Sequence, residues 1–185
     1  VLDSPILTNA QMKKFKSFFS KKIKIIDCTF NIDEQLKDNL EKIKNEAEIS
    51  IREGTTALVL SDKNINEKKA NIPMVLAVGA INSHLVNQGL RGYCSINVET
   101  SETLDTHSFA VLVGVGATTI NPYLAIDSIF QRYSKKLFGK YDFKTCVDRY
   151  KKSIENGLLK IMSKMGISVL SSYRGGCNFE TVGLS

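Results

Sequence analysis

The sequence is poor in the residues that hold metals. Its only histidines are His84 and His107, and its four cysteines, Cys28, Cys94, Cys146 and Cys177, are each more than thirty residues apart. Structural zinc and iron–sulfur sites draw on closely spaced ligands, and no CxxC pair is present. The cysteines are therefore expected to be buried free thiols in a reducing compartment. Long apolar runs are also missing: nothing approaches the ~20 residues of a membrane-spanning helix, and no secretory leader is visible. No membrane partner is expected. The formal charge is +6, yet no basic cluster alternates with stacking aromatics. The excess lysine is interleaved with acids, as in Lys37-Asp38 and Glu41-Lys42-Ile43-Lys44, which makes a solvated face and excludes a nucleic-acid partner. No paired carboxylates, Cys–His pair or Ser–His–Asp set can be assembled, so no residue is assigned as catalytic or metal-binding. The first residue is Val1, and the expectation is a processed chain or a piece of something longer.

What is present is the composition of a globular protein. With 185 residues, 43% apolar and 24% charged, the chain can bury one good core, or one domain and part of a second. The organising stretch is Thr56-Ala57-Leu58-Val59-Leu60-Ser61-Asp62, which is too short for a helix and too apolar for an edge. It reads as a buried central strand. Long amphipathic segments flank it, so the fold class is α/β: a layered fold with a mostly parallel sheet flanked by helices.

In chain order, Val1 to Ile6 is an extended lead-in. Thr8 and Gln11 form a capping-box pattern opening a helix to Phe19, with Met12, Phe15, Phe18 and Phe19 inward. Lys22 to Phe30 reads as one strand. Ile32, Leu36, Leu40, Ile43, Ala47 and Ile51 draw a helical stripe with Asp33 near its start and Gly54 as its stop. Pro73 suits the first turn of a helix carrying Met74, Val78, Ile81 and Leu85 and ending at Gly89. Tyr93 to Thr100 is a strand, and Ser101 or Thr103 would cap a third long helix. Gly114-Val115-Gly116-Ala117 breaks that helix before a short strand at 118–120. Asn121-Pro122 opens a helix through Tyr133. Residues 135–142 read as a linker. Val147, Tyr150, Ile154, Leu158, Ile161 and Met165 then form another stripe, ended by Gly166, and Ile167 to Ser172 reads as a short strand.

Several motifs admit two readings. The Gly114–Gly116 turn can cradle a phosphate or can be a helix-to-strand packing turn; it lacks the third glycine of a dinucleotide fingerprint and the lysine of a P-loop. His107 after Asp105 is a dyad or a capped, hydrogen-bonded histidine. His84 packs or meets water, and Arg91 pairs with a helix C-terminus. The richest polar cluster is Ser163 and Lys164 with Tyr173-Arg174-Gly175-Gly176. Two glycines after an arginine make a backbone nest suited to carboxylate or phosphate, or else a structured corner.

These residues carry a resemblance. Asn156 to Leu184, with Ser163-Lys164-Met165-Gly166-Ile167-Ser168 and Tyr173-Arg174-Gly175-Gly176 inside it, resembles the segment joining the central and flavin domains of the glutamate synthase family. Ser4-Pro5-Ile6-Leu7, Leu60-Ser61-Asp62, Ile72-Pro73, Gly89-Leu90-Arg91 and Asn121-Pro122-Tyr123-Leu124-Ala125 resemble that family's central domain, in the same order. The resemblance implies a multidomain enzyme converting glutamine and 2-oxoglutarate to two glutamates with two electrons. In it, ammonia released at a glutaminase site passes through a tunnel to an FMN-bearing barrel accompanied by an iron–sulfur cluster. Val1 is not the nucleophilic cysteine of that glutaminase, and the barrel would begin beyond Ser185. The cofactors are expected in the intact enzyme and not on this chain.

The reading is a fragment. Residues 1–134 are the carboxyl-terminal part of the central domain and 135–185 the linker and lead-in to the FMN domain. Its partners are the remaining domains of the same enzyme, its location cytoplasmic or plastid, and its role scaffold and tunnel wall. Ser163, Lys164, Tyr173 and Arg174 are the candidate flavin-side surface. The competing readings are a stand-alone α/β enzyme using the Gly114–Gly116 turn for phosphate, and a non-catalytic interaction module.

Overall fold

The strand β3 (Ala57–Ser61) is buried along its whole length because it is paired in parallel on both sides, with β1 (Ile23–Asp27) and β5 (Ser95–Glu99). The computed structural model describes residues 3–176, 178–180 and 182; the expectations for Val1, Cys177 and Leu184 lie outside them. β6 (Thr119–Asn121) joins β5 and completes a four-stranded sheet of order β1-β3-β5-β6. Ile6 bridges in parallel to the outer side of β6 at Ile120. Helices α2 (Leu36–Arg52), α3 (Met74–Asn87), α4 (Thr106–Gly114) and α5 (Tyr123–Ser134) follow β1, β3, β5 and β6 in turn. Each new strand is laid beside the last, which is the winding of one half of a β/α barrel. The expected parallel, helix-flanked sheet is what forms.

Alternation along the strands gives the sheet two different faces. One carries Ile26, Leu58, Leu60, Ile96, Val98 and Ile120, which join Ile43, Ala47, Met74, Val78, Ile81 and Phe109 of the helices in one core. The register puts Asp27, Ser61, Glu99 and Asn121 in one row of the other face, and Val59, Asn97 and Thr119 in the next. This second face is polar towards β5 and β6. Helix α1 (Asn9–Phe19) lies over it, with Met12 buried and Lys16 reaching Glu99 at 2.5 Å.

Local chemistry sets the element ends. The Thr8–Gln11 capping box forms in both directions. Gly54, Gly89 and Gly166 all take positive φ just past helix ends, where a left-handed residue closes the last turn. The single strand expected over 22–30 instead breaks at Cys28: β2 (Thr29–Asn31) leaves the main sheet to pair antiparallel with β4 (Lys69–Asn71). That ribbon takes up the chain just before α2, so Ile32 and Asp33 sit in a turn and the helix starts at Leu36, not beside Asp33. Pro73 is the N-cap of α3, one position before the first turn.

Four other expectations are corrected. Phe18 does not face inward; it is 82% exposed, because α1 meets the sheet through Met12 while Phe15 and Phe19 stack at its flank. Neither Ser101 nor Thr103 caps α4, which is nine residues long. Ser101 is held by Asp62, and Asp105 accepts from Ser108 N as the cap. Met165 is exposed at the end of α6 (Phe143–Lys164), where Met162 is buried in its place. Ile167 to Ser172 has no sheet to join. Its latter part is a helical turn, α7 (Leu170–Tyr173); a short apolar run does not distinguish the two states.

Helix α6 covers α4 and α5. Gly157 lies so close to Thr106 that a Cβ would meet its methyl at 2.4 Å, and Phe143 packs edge-on against Phe130. The chain then returns under α4: Tyr173 is fully buried and donates its hydroxyl to Ala110 O at 3.1 Å.

Candidate functional site

In a sheet of parallel βα units the side chains that follow each strand converge at its carboxyl end. Here that end collects Asp62, Glu99, Thr100, Ser101, Asn121 and Tyr123. Asp62 is wholly buried, and one carboxylate oxygen accepts from Thr100 Oγ1, Ser101 N and Ser101 Oγ at 2.8–2.9 Å. Its other oxygen, and the amide oxygen of Asn121, are buried without a hydrogen-bond partner. The Tyr123 hydroxyl sits beside Asp62; burial, and then that carboxylate, push it up to about 12. Glu99 is clamped between Lys16 at 2.5 Å and Lys63 at 2.8 Å. Burial pushes its pKa up, but the bonds and charges of the two lysines outweigh that and hold it below the usual value. Lys63 also lies over the Tyr123 ring at 5.0 Å. Asn121 ties the lead-in to this rim by donating to Leu7 O and Asn9 Oδ1.

The arrangement is a polar rim in which Glu99 is ion-paired with two lysines, while the Asp62 carboxylate is held by hydrogen bonds alone and keeps one oxygen without a partner. Among the described residues no group of three or more His, Cys, Asp or Glu is placed to hold a metal ion. Cys28 is buried, and burial pushes its thiol up to about 12. Cys94 and Cys146 are free and half-buried.

Sequence reasoning named few of these rim residues, because their signal is a register between strands far apart in the chain. The motifs it did name fall elsewhere. The Gly114–Gly116 turn is a packing turn: a Cβ on Gly114 would strike the Phe179 ring, and one on Gly116 would strike Asn82. No room is left there for a phosphate. Asp105 is committed to capping α4, and His107 is exposed, edge-on to Phe179. His84 Nε2 lies 2.6 Å from Glu48 Oε2 and joins α3 to α2. Arg91 donates to Gly116 O, just past α4, and also to Cys94 O and Asn82 Oδ1. Of the polar cluster, Ser163 and Lys164 are exposed at the end of α6, Tyr173 points into α4, and Arg174 is half-buried.

A family model described as the glutamate synthase central domain matches residues 1–185, the whole chain. The chain belongs to that family. This glutamate synthase central domain is 49% identical over its full length to the glutamate synthase [NADPH] large chain of Azospirillum brasilense, and 41% identical to that of Bacillus subtilis. It is 39% identical to the ferredoxin-dependent glutamate synthase, chloroplastic, of Spinacia oleracea. It spans about 12% of the length of each, so it is one part of a larger protein. Two solved structures share the fold of the glutamate synthase central domain. A flavocytochrome b2 with sulfite bound aligns with a TM-score of 0.58 at 14% identity, over 97% of this chain and 42% of that one. DHODH from Eimeria tenella in complex with ferulenol aligns with a TM-score of 0.53 at 12% identity, over 84% of this chain and 38% of that one. Both alignments cover less than half of the larger fold, in keeping with four βα units.

Proposed function

We propose that this chain is the scaffold of a glutamate synthase: the carboxyl-terminal part of the central domain over 1–134, and the lead into the FMN domain over 135–185. In the intact enzyme it holds the glutaminase and FMN sites in register and forms part of the wall through which ammonia passes. The observation that carries this is the whole-chain match to large chains of which it forms about 12%. The fold supports it. An ammonia path must exclude bulk water and present fixed dipoles, and the sheet face bearing Asn97, Thr119 and Asn121 is polar yet buried, with Thr119 Oγ1 donating to Asn97 Oδ1.

The described residues do not suit the cofactors themselves. The free cysteines are dispersed, and the glycine turn is filled by Phe179 and Asn82. FMN and the iron–sulfur cluster are therefore assigned to the remaining domains, which are its partners, and the chain alone is not catalytic. The exposed Ser163 and Lys164 and the half-buried Arg174 are our candidates for the surface towards the flavin half, while Tyr173, fully buried, anchors the chain beside them to α4. Our reading puts the enzyme in the cytoplasm, or in a plastid in photosynthetic eukaryotes, the latter in line with the chloroplastic relative of Spinacia oleracea. Among the described residues no helix is long and apolar enough to cross a membrane.

Two measurements test the proposal. Titration of the purified chain with FMN is expected to give no saturable quenching of flavin fluorescence at micromolar protein; saturable binding would put a flavin site on this chain. In the intact enzyme, Lys164→Ala together with Arg174→Ala is expected to raise the glutamine hydrolysed per glutamate formed. An unchanged ratio would remove the interdomain assignment.

A further inference from the structure

The turn between α5 and α6 concentrates positive charge. Residues 130–149 hold six basic side chains, Arg132, Lys135, Lys136, Lys140, Lys144 and Arg149, against two acids, Asp142 and Asp148. That leaves +4 of the chain's formal +6 in this one stretch. All six are exposed, and among the described residues none of them is in an ion pair. On other surfaces the basic residues find carboxylates, as in Lys24–Glu46, Lys44–Glu41 and Arg52–Glu48. Asp142 is spent as the cap of α6, accepting from Thr145 N at 2.9 Å.

The same turn carries apolar side chains outward. Helix α5 closes with Lys136 N donating to Tyr133 O at 2.8 Å and Leu137 N to Arg132 O at 3.2 Å. Lys136 takes φ +57. In an ending of this kind the residue at the Leu137 position commonly packs back on the last turn of the helix. Here that turn offers only Gln131 and Arg132, and Leu137 is left 64% exposed. Phe130 is 55% exposed. The Phe143 ring lies 5.4 Å from that of Phe130 and 6.0 Å from that of Tyr133, which makes an aromatic ridge. The ridge borders two clefts. Phe130 and Phe143 line one of about 560 Å³ with Ile126 and Val147, and Tyr133 lines another of about 450 Å³ with Phe138, Tyr141 and Lys140. The rings engage one another, and Arg149 lies over Tyr141 at 4.0 Å, so their faces are not laid out for stacking bases.

Apolar clefts rimmed by cations fit a protein segment with apolar anchors and a negative rim. We propose that this surface receives an acidic segment bearing apolar side chains from the part of the same polypeptide outside residues 1–185. Charge complementarity names the chemistry. Two observations favour the source. Large exposed aromatics are kept where a permanent neighbour covers them, and the chain spans only about 12% of its relatives, so most of the polypeptide lies elsewhere. The surface sits at the start of the 22-residue α6, about 33 Å of helix away from Ser163 and Lys164. It is therefore independent of the assignment of those residues to the flavin half.

The test uses the intact enzyme. Carbodiimide joins a lysine amine to a carboxylate only where the two touch, and mass spectrometry reads the sites. Cross-links are expected from Lys136, Lys140 or Lys144 to Asp or Glu residues outside 1–185 within one polypeptide. Acetylation of these lysines is expected to be about tenfold slower than in the urea-unfolded enzyme, a ratio equal to ~1.4 kcal/mol. Molar salt should reduce the protection. Lys140→Glu with Lys144→Glu changes two exposed positions and puts an acid in the first turn of α6, which suits the helix. It should abolish the cross-link from Lys136 and remove its protection. Acetylation as fast as in the unfolded enzyme would overturn the docking surface. Protection without cross-links to carboxylates, or protection of Lys136 that survives the double variant, would overturn the acidic partner. Cross-links only between separate polypeptides would overturn the source.

Discussion

Gly116 and Asn82 contend for one volume. A Cβ on Gly116 would fall 2.4 Å from Asn82 Oδ1, the same oxygen that accepts from Arg91 Nε. Gly116 also takes φ +125, which L side chains avoid. The position is doubly closed to any other residue, and it joins α3, α4 and the entry of β6 through the Arg91 guanidinium.

Gly116→Ala is therefore expected to destabilise by about 2–4 kcal/mol, combining backbone strain with displacement of Asn82. Urea denaturation of the purified chain measures it. Gly139→Ala is the control: it shares a positive φ but has open space around it, so its loss should be about 1 kcal/mol.

Gly157 and Thr106 define the closest approach of α6 and α4. Gly157→Ala puts a methyl 2.4 Å from Thr106 Cγ2, an overpacking expected to cost about 1–3 kcal/mol. The double variant with Thr106→Ala should recover most of that loss, and a double-mutant cycle by denaturation shows the coupling. Additive losses would mean that the helices separate instead of clashing.

Glu99 makes stability depend on acid. Its folded pKa lies below the usual 4.5, so it contributes stability above the unfolded value, and that contribution is lost as pH falls through the folded one. Glu99→Gln is expected to destabilise by about 2–3 kcal/mol at pH 7, leaving Lys16 and Lys63 without their partner. Its stability curve should be flatter than the wild type below pH ~4.5. Denaturation across pH 3–7 separates the two.

The thiols should react in order of access. Cys28, with its thiol pushed up to about 12 and no exposure, is expected to resist alkylation until the chain unfolds. Burial also raises the Cys94 thiol, although Arg91 opposes it. Half-buried Cys146 should label before either. Mass-spectrometric mapping under native conditions checks the order.

What the sequence determined by itself was local: the capping box at Thr8 and Gln11, the stripe of α2 from Leu36 to Ile51, the buried run of β3, and the glycine stops at 54, 89 and 166. Each depends on residues within about one or two helical turns, where spacing and backbone preference suffice. The family likeness was legible for a different reason, since Asn156 to Leu184 and the Asn121-Pro122 region are distinctive as strings. Tertiary structure alone decided the rest. Asn97, Glu99, Thr119 and Asn121 become one polar face only because parallel pairing sets their register. Ser101 was unavailable as a cap because Asp62, just past the end of β3, had taken its hydrogen bonds. The 167–172 run became a helical turn because no strand edge lay beside it and α4 offered Ala110 O and Val113 O. Pairing, burial and charge compensation join residues tens of positions apart, and no local pattern encodes which partner will be there.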